Sequence, residues 1–126
     1  MNFQRYVSRI SGLKISDREF YRIKSTMKDF GLDTTKENFF TVASLKKISV
    51  NHKISLSKCL DFFIRNSSKL PSKISKKDLI VICSQIAPNA SVASIYRWCE
   101  VTDKKSVSIA ILMAYNYQLN QRKKIK

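Results

Sequence analysis

Ser16-Asp17-Arg18-Glu19-Phe20-Tyr21-Arg22-Ile23-Lys24-Ser25-Thr26-Met27-Lys28-Asp29-Phe30-Gly31 spells out a helix from start to stop. Ser16 and Glu19 stand at capping-box spacing, in which the hydroxyl accepts from an orphan backbone N–H and the acid reaches back. Phe20, Ile23, Met27 and Phe30 then recur every three or four residues and line one face. Gly31 supplies the left-handed residue that ends the helix. Thr34 with Glu37, and Ser75 with Asp78, repeat the start signal. The whole chain holds two glycines and two prolines, too few for the tight turns of a sandwich or barrel. The fold class is therefore all-α: a compact bundle of six to seven helices.

Working outward, the periodicity predicts helices at about 2–11, 16–30, 35–48 and 55–66 in the first half. Their inward positions are Phe3, Val7 and Ile10; Phe20, Ile23, Met27 and Phe30; Phe39, Phe40, Val42 and Ala43; and Leu56, Cys59, Leu60, Phe63 and Ile64. Around residues 67–74 the text turns basic and polar, and Pro71 breaks any helix there. This linker separates a four-helix subdomain, 1–66, from a three-helix subdomain, 75–126, within what is expected to be one compact body. The second part should hold helices at about 76–87, 91–100 and 103–121, with Pro88 and Asn89 making the break and a frayed basic end beyond Gln121.

Charge narrows the partners. The 126 residues carry 24 Lys and Arg against nine Asp and Glu, a formal charge of +15. Residues 1–60 have twelve basic and five acidic side chains and residues 61–126 twelve and four, so no tail accounts for the excess. A folded surface this positive repels itself, and a polyanion such as DNA, RNA or an anionic membrane surface would neutralise it. Compositional drift in an AT-rich genome also produces such a Lys-, Ile-, Asn- and Ser-rich chain. Arg5 and Arg9 interrupt the first apolar positions, and the longest apolar run, Ile109 to Tyr115, falls far short of the ~20 residues that span a bilayer. The expectation is a soluble, cytoplasmic protein with no membrane partner. Cys59, Cys83 and Cys99 are odd in number, lack CxxC spacing and lie in apolar stretches, so they read as small core residues. With His52 as the sole histidine there is no four-ligand zinc site and no cofactor is implied.

The segment Asn89 to Trp98 is patterned for a groove. A reading helix needs a few apolar anchors on its inner face and a free outer face. Asn89 tolerates a left-handed turn, Ser91 can cap, and Ala90, Ile95 and Trp98 can anchor, which leaves Ser91, Val92, Ala93, Tyr96 and Arg97 outward. Ser91-Val92-Ala93-Ser94-Ile95-Tyr96-Arg97-Trp98 resembles the recognition helix of helix-turn-helix domains in transposases, recombinases and MerR-like regulators. The resemblance implies that Tyr96 and Arg97 touch bases or phosphates, with Ser91 and Val92 near the groove floor. It also shows a departure, because Ile82, Cys83 and Ile86 fit the family's pre-turn positions only if the turn is two residues longer. The bland alternative is that Tyr96 and Trp98 are core aromatics, and that Arg97 pairs with Glu100. Lys76, Lys77, Lys104 and Lys105 flank the segment and can grip phosphates, or simply be solvated helix ends.

The last helix is apolar almost all round, from Val107 to Tyr117, and so fits either a buried strut or a homodimer contact. Catalysis has little to work with: the chain has no glycine-rich phosphate loop, nucleophile elbow, HExxH or paired-carboxylate motif. The leading expectation is a double-stranded DNA-binding protein, a small transcriptional regulator or mobile-element accessory factor, not an enzyme. The alternatives are an RNA-binding module that uses Tyr6, Tyr21, Tyr96 or Trp98 as stacking platforms, and a basic adaptor or inhibitor that docks on an acidic protein.

Overall fold

The computed structural model describes residues 2–68, 75–100 and 104–124, with side chains of the last segment described from 109 to 121. The described residues form seven helices and no strand, in agreement with the all-α expectation: α1 (Phe3–Ser11), α2 (Asp17–Asp29), α3 (Lys36–His52), α4 (Leu56–Ser67), α5 (Lys76–Ile86), α6 (Val92–Trp98) and α7 (Lys104–Lys124). Two compact units result, Met1–Phe62 and Phe63–Lys126, and the division falls inside α4. Most of the linker expected at 67–74 lies outside the described residues.

Local chemistry sets the helix ends. Ser16 Oγ accepts from Glu19 N at 3.1 Å and Ser75 Oγ from Asp78 N at 3.2 Å, as their spacing predicts. The start of α3 is one residue later than the Thr34 and Glu37 pairing predicts: Thr35 is the cap and accepts from Asn38 N at 3.2 Å. Asn38 Nδ2 donates to Asp33 O at 2.8 Å, and this second bond anchors the shifted register. Gly31, at φ 71°, closes α2 in a Schellman arrangement, with Leu32 N donating to Met27 O at 2.8 Å and Gly31 N to Lys28 O at 3.0 Å. α3 overruns its expected end at 48 and stops the same way at Lys53, which takes φ 55° while Ile54 N donates to Ser49 O at 2.9 Å. A lysine there carries the Cβ strain that glycine avoids.

In the first unit the dominant packing is α1 against α3. Tyr6 and Val7 meet a band on α3 that buries Phe39, Val42, Ala43, Leu45 and Ile48, and the Phe3 ring stacks on Phe39 at 4.5 Å between centroids. α2 contributes Ile23 and Met27, and its Phe20 ring also stacks on Phe39, at 5.7 Å between centroids. Gln4 ties the start of α2 to α1, with Nε2 donating to Ile15 O at 3.0 Å and to Asp17 Oδ1 at 2.8 Å. Phe3, Ile10, Phe40, Leu56, Phe63 and Ile64 are half-buried rather than fully interior.

In the second unit α7 packs against both α5 and α6. Ala110, Ile111, Leu112, Ala114 and Tyr115 are all buried, so this helix is covered on more than one side, as a strut would be. Met113, 43% exposed, is the large apolar side chain it leaves to solvent among the described ones. The helix continues to Lys124, past the frayed end expected after Gln121.

Gly12 and Gly31 have φ 71° and open space where a Cβ would sit, so alanine at either site meets only dihedral strain. Urea unfolding should show each Gly→Ala change to be destabilising by about 1 kcal/mol. Lys53→Gly, relieving the same strain, should stabilise by about 0.5–1 kcal/mol.

Candidate nucleic-acid interface

α6 is a two-turn helix whose two faces differ sharply. Ser91 caps it, its Oγ accepting from Ser94 N at 3.1 Å and donating to Ser94 Oγ at 2.9 Å. The hydroxyl proposed for the groove floor is thus already engaged, although Ser91 itself is exposed. Ile95 and Trp98 are buried at a spacing of three and seat the helix, while Ala90 is half-buried. Val92, Ala93, Tyr96 and Arg97 form the opposite face, with Val92 69% and Tyr96 48% exposed. The core-aromatic alternative therefore holds for Trp98 and fails for Tyr96. Arg97 has no ion-pair partner among the described residues, so the pairing with Glu100 does not form there.

The connection that aims α6 is a tight one. Ala87-Pro88-Asn89-Ala90 closes as a β-turn through Ala90 N donating to Ala87 O at 3.1 Å, with Pro88 at the position its fixed φ suits. Asn89 does not adopt the left-handed conformation expected of it, since Lys53 is the non-glycine residue with positive φ among the described residues. Its carbonyl instead accepts from Tyr117 Oη at 3.3 Å, and the Tyr117 ring packs on Trp98 with centroids 5.6 Å apart. One α7 side chain thus holds both the turn and the buried side of α6. Tyr117 was read only as part of an apolar run, because nothing local to it announces a partner 28 residues away. Five residues, 87–91, separate α5 from α6.

A cation borders this face. Lys76 and Lys77 occupy the first turn of α5, both exposed, and Lys76 Nζ lies 5.8 Å from the Tyr96 ring centroid. Two ammonium groups at a helix's positive end oppose its macrodipole. Asp78 offsets them in part while its carboxylate accepts from Ser75 Oγ at 2.9 Å. Lys104 and Lys105 begin α7, and their side chains lie outside the described ones. Of the four aromatic residues considered as stacking platforms, Tyr6 and Trp98 are buried and unavailable, whereas Tyr21 and Tyr96 are open. Arg9 and Lys36 crowd the Tyr6 ring at 5.5 and 5.7 Å.

Behind α6 the Cys99 thiol points at Cys83 Sγ, 3.8 Å away, and both are buried. Burial, with the Cys99 thiol alongside, pushes the Cys83 thiol from 9.0 up to about 12. Burial also raises Cys99, while its hydrogen bond to Cys83 and the Lys76 ammonium pull the other way. Among the described residues no three His, Cys, Asp or Glu side chains gather as a metal site. No helix there is long and apolar enough to cross a membrane. No protein-family model matches the chain, and neither does a curated protein or a solved structure.

A thiol raised in the fold keeps a proton that the unfolded chain gives up from pH 9, so its contribution is complete below pH 9 and lost as pH climbs to about 12. Denaturation curves recorded across that window should show stability falling more steeply in the parent chain than in Cys83→Ala, by up to about 1.4 kcal/mol per pH unit.

Proposed function

We propose that the chain binds double-stranded DNA, laying the outer face of α6 in the major groove, as a small transcriptional regulator or mobile-element accessory factor would. The observation that carries this reading is the split of α6 into a buried seat, Ile95 and Trp98, and an exposed face of Val92, Ala93, Tyr96 and Arg97. Arg97 on that face has the donors to read guanine bidentately, and Val92 and Ala93 offer apolar contact to a thymine methyl. Lys76 and Lys77 are the candidates for gripping phosphates beside the groove, with Lys104 and Lys105 at the start of α7 as further ones. Position also favours a functional origin for Lys76 and Lys77. They sit where the helix dipole disfavours them, so an external anion accounts for them better than the fold does.

A salt titration on duplex DNA tests the reading. Log affinity should fall with log salt at a slope near about −0.9 per phosphate neutralised. Arg97→Ala should erase about 1–3 kcal/mol of sequence discrimination, whereas Lys124→Ala should weaken binding without changing preference. Equal effects of the two would count against groove reading. Indifference to duplex at low salt, with or without capture of RNA or of an acidic protein, would overturn it. Lys76→Glu with Lys77→Glu should weaken duplex binding yet raise folding stability by about 0.3–1 kcal/mol per residue, a pairing of effects that a purely structural role for these lysines would not produce.

A further inference from the structure

The outward face of α2, on the first unit, takes no part in the reading above. Tyr21, Lys24, Ser25 and Lys28 follow one another at helical spacing and are all exposed, with Arg18 and Arg22 exposed beside them. The buried side chains of the helix, Ile23 and Met27, lie on its other side. From Tyr21 to Lys28 the face runs about 10 Å along the axis.

Tyr21 is 71% exposed, the most open of the large hydrophobic side chains among the described residues. Lys24 Nζ lies 5.8 Å from its ring centroid and 5.2 Å from that of Phe20, so the ammonium sits between two rings and close to the surface. Tyr21, Lys24, Ser25 and Lys28 also line an open hollow together with Leu32, Asp33 and Thr34. The acids nearby are mostly committed elsewhere. Glu19 pairs with Lys46, and Asp17 accepts from Gln4 Nε2 at 2.8 Å. Asp33 lines the same hollow and Asp29 is exposed near the end of α2, and neither forms an ion pair with Lys24 or Lys28 among the described residues.

We infer that this face binds single-stranded nucleic acid, with a base stacked on Tyr21 and the flanking phosphates held by Lys24 and Lys28. Charge complementarity selects a polyanion, and the open ring within the cationic patch selects one whose bases are free. In a duplex the base faces are closed by their own stack, so an aromatic ring on a convex helix finds no partner there. In a single strand each base has an accessible face and the backbone bends to bring phosphate to ammonium. The inference uses none of the α6 residues and stands or falls apart from them.

The test is a fluorescence-anisotropy titration of the full chain with a labelled oligothymidylate at several salt concentrations. Tyr21→Ala should weaken binding by about 10-fold or more, and Tyr21→Phe should stay within about 2-fold of the parent, because the ring and not the hydroxyl makes the stack. Replacing Lys24 and Lys28 together by Gln should reduce the salt slope by about 1.4. Tyr21 is exposed, so these variants should keep the parent melting temperature. Unchanged affinity in Tyr21→Ala, with or without an effect of the lysine pair, overturns the inference, as does a parent chain that ignores the oligothymidylate at low salt. Arg97→Ala assayed on duplex in parallel separates the two surfaces: loss there with Tyr21→Ala silent removes only the α2 face, and the reverse removes only the α6 reading.

Discussion

A surplus of fifteen positive charges on 126 residues is the constraint that the rest of the molecule works around. At physiological salt, screening acts over about 8 Å, which is comparable to the spacing of cations along one helix face, so neighbouring ammonium and guanidinium groups still repel. Three of the nine acids help to position the chain. Glu19 holds Lys46, Asp17 receives Gln4, and Asp78 sits in the first turn of α5 hydrogen-bonded to its own cap. None of these bonds neutralises the outward lysines and arginines. Apolar packing opposes the repulsion within each of two units, one organised by α1 against α3 and the other by α7 against α5 and α6.

Those features whose causes lie within four or five residues were legible in the sequence. Ser16 and Ser75 cap because a hydroxyl three residues before an amide can reach it, and Gly12 and Gly31 end helices because only they turn left-handed without strain. The inner and outer faces of α6 followed from the 3.6-residue period in the same way. What could not be read depends on partners brought together by folding. Thr35 rather than Thr34 caps α3 because Asn38 fixes the register on Asp33, and Lys53 accepts a strained dihedral because Ser49 and Ile54 close the turn around it. Asn89 was expected to turn left-handed, yet Pro88 and the Tyr117 hydroxyl make that unnecessary. The contacts of Lys76 with Tyr96 and of Cys99 with Cys83 join separate helices and leave no trace in a local window.

The aromatic residues show how burial sorts side chains that the sequence presents as equals. Tyr6 and Tyr21 both stand in basic surroundings, but Tyr6 faces α3 and has Arg9 and Lys36 over its ring, whereas Tyr21 points away from Ile23 and Met27. Trp98 and Tyr96 are two residues apart on α6, which places them on different sides of so short a helix. An aromatic ring is therefore core or surface according to its angular position on its helix. A charge-rich composition gives no hint of which.

A seven-residue helix has no independent stability in water, where about 12–15 residues are needed even for marginal helicity. α6 exists because the second unit holds it at three points: the Ser91 cap, the Ile95 and Trp98 seat, and Tyr117 bracing both the turn and the indole. Its outer face is consequently as rigid as that seat. If Tyr96 and Arg97 read a ligand, the precision of the reading is set on α7, by a tyrosine that touches no ligand, and at the end of α6, where Cys99 meets Cys83 of α5. Recognition and core stability in this unit are then the same physical quantity measured from two sides, so changes to the buried face of α6 act on its exposed face without altering a single residue there.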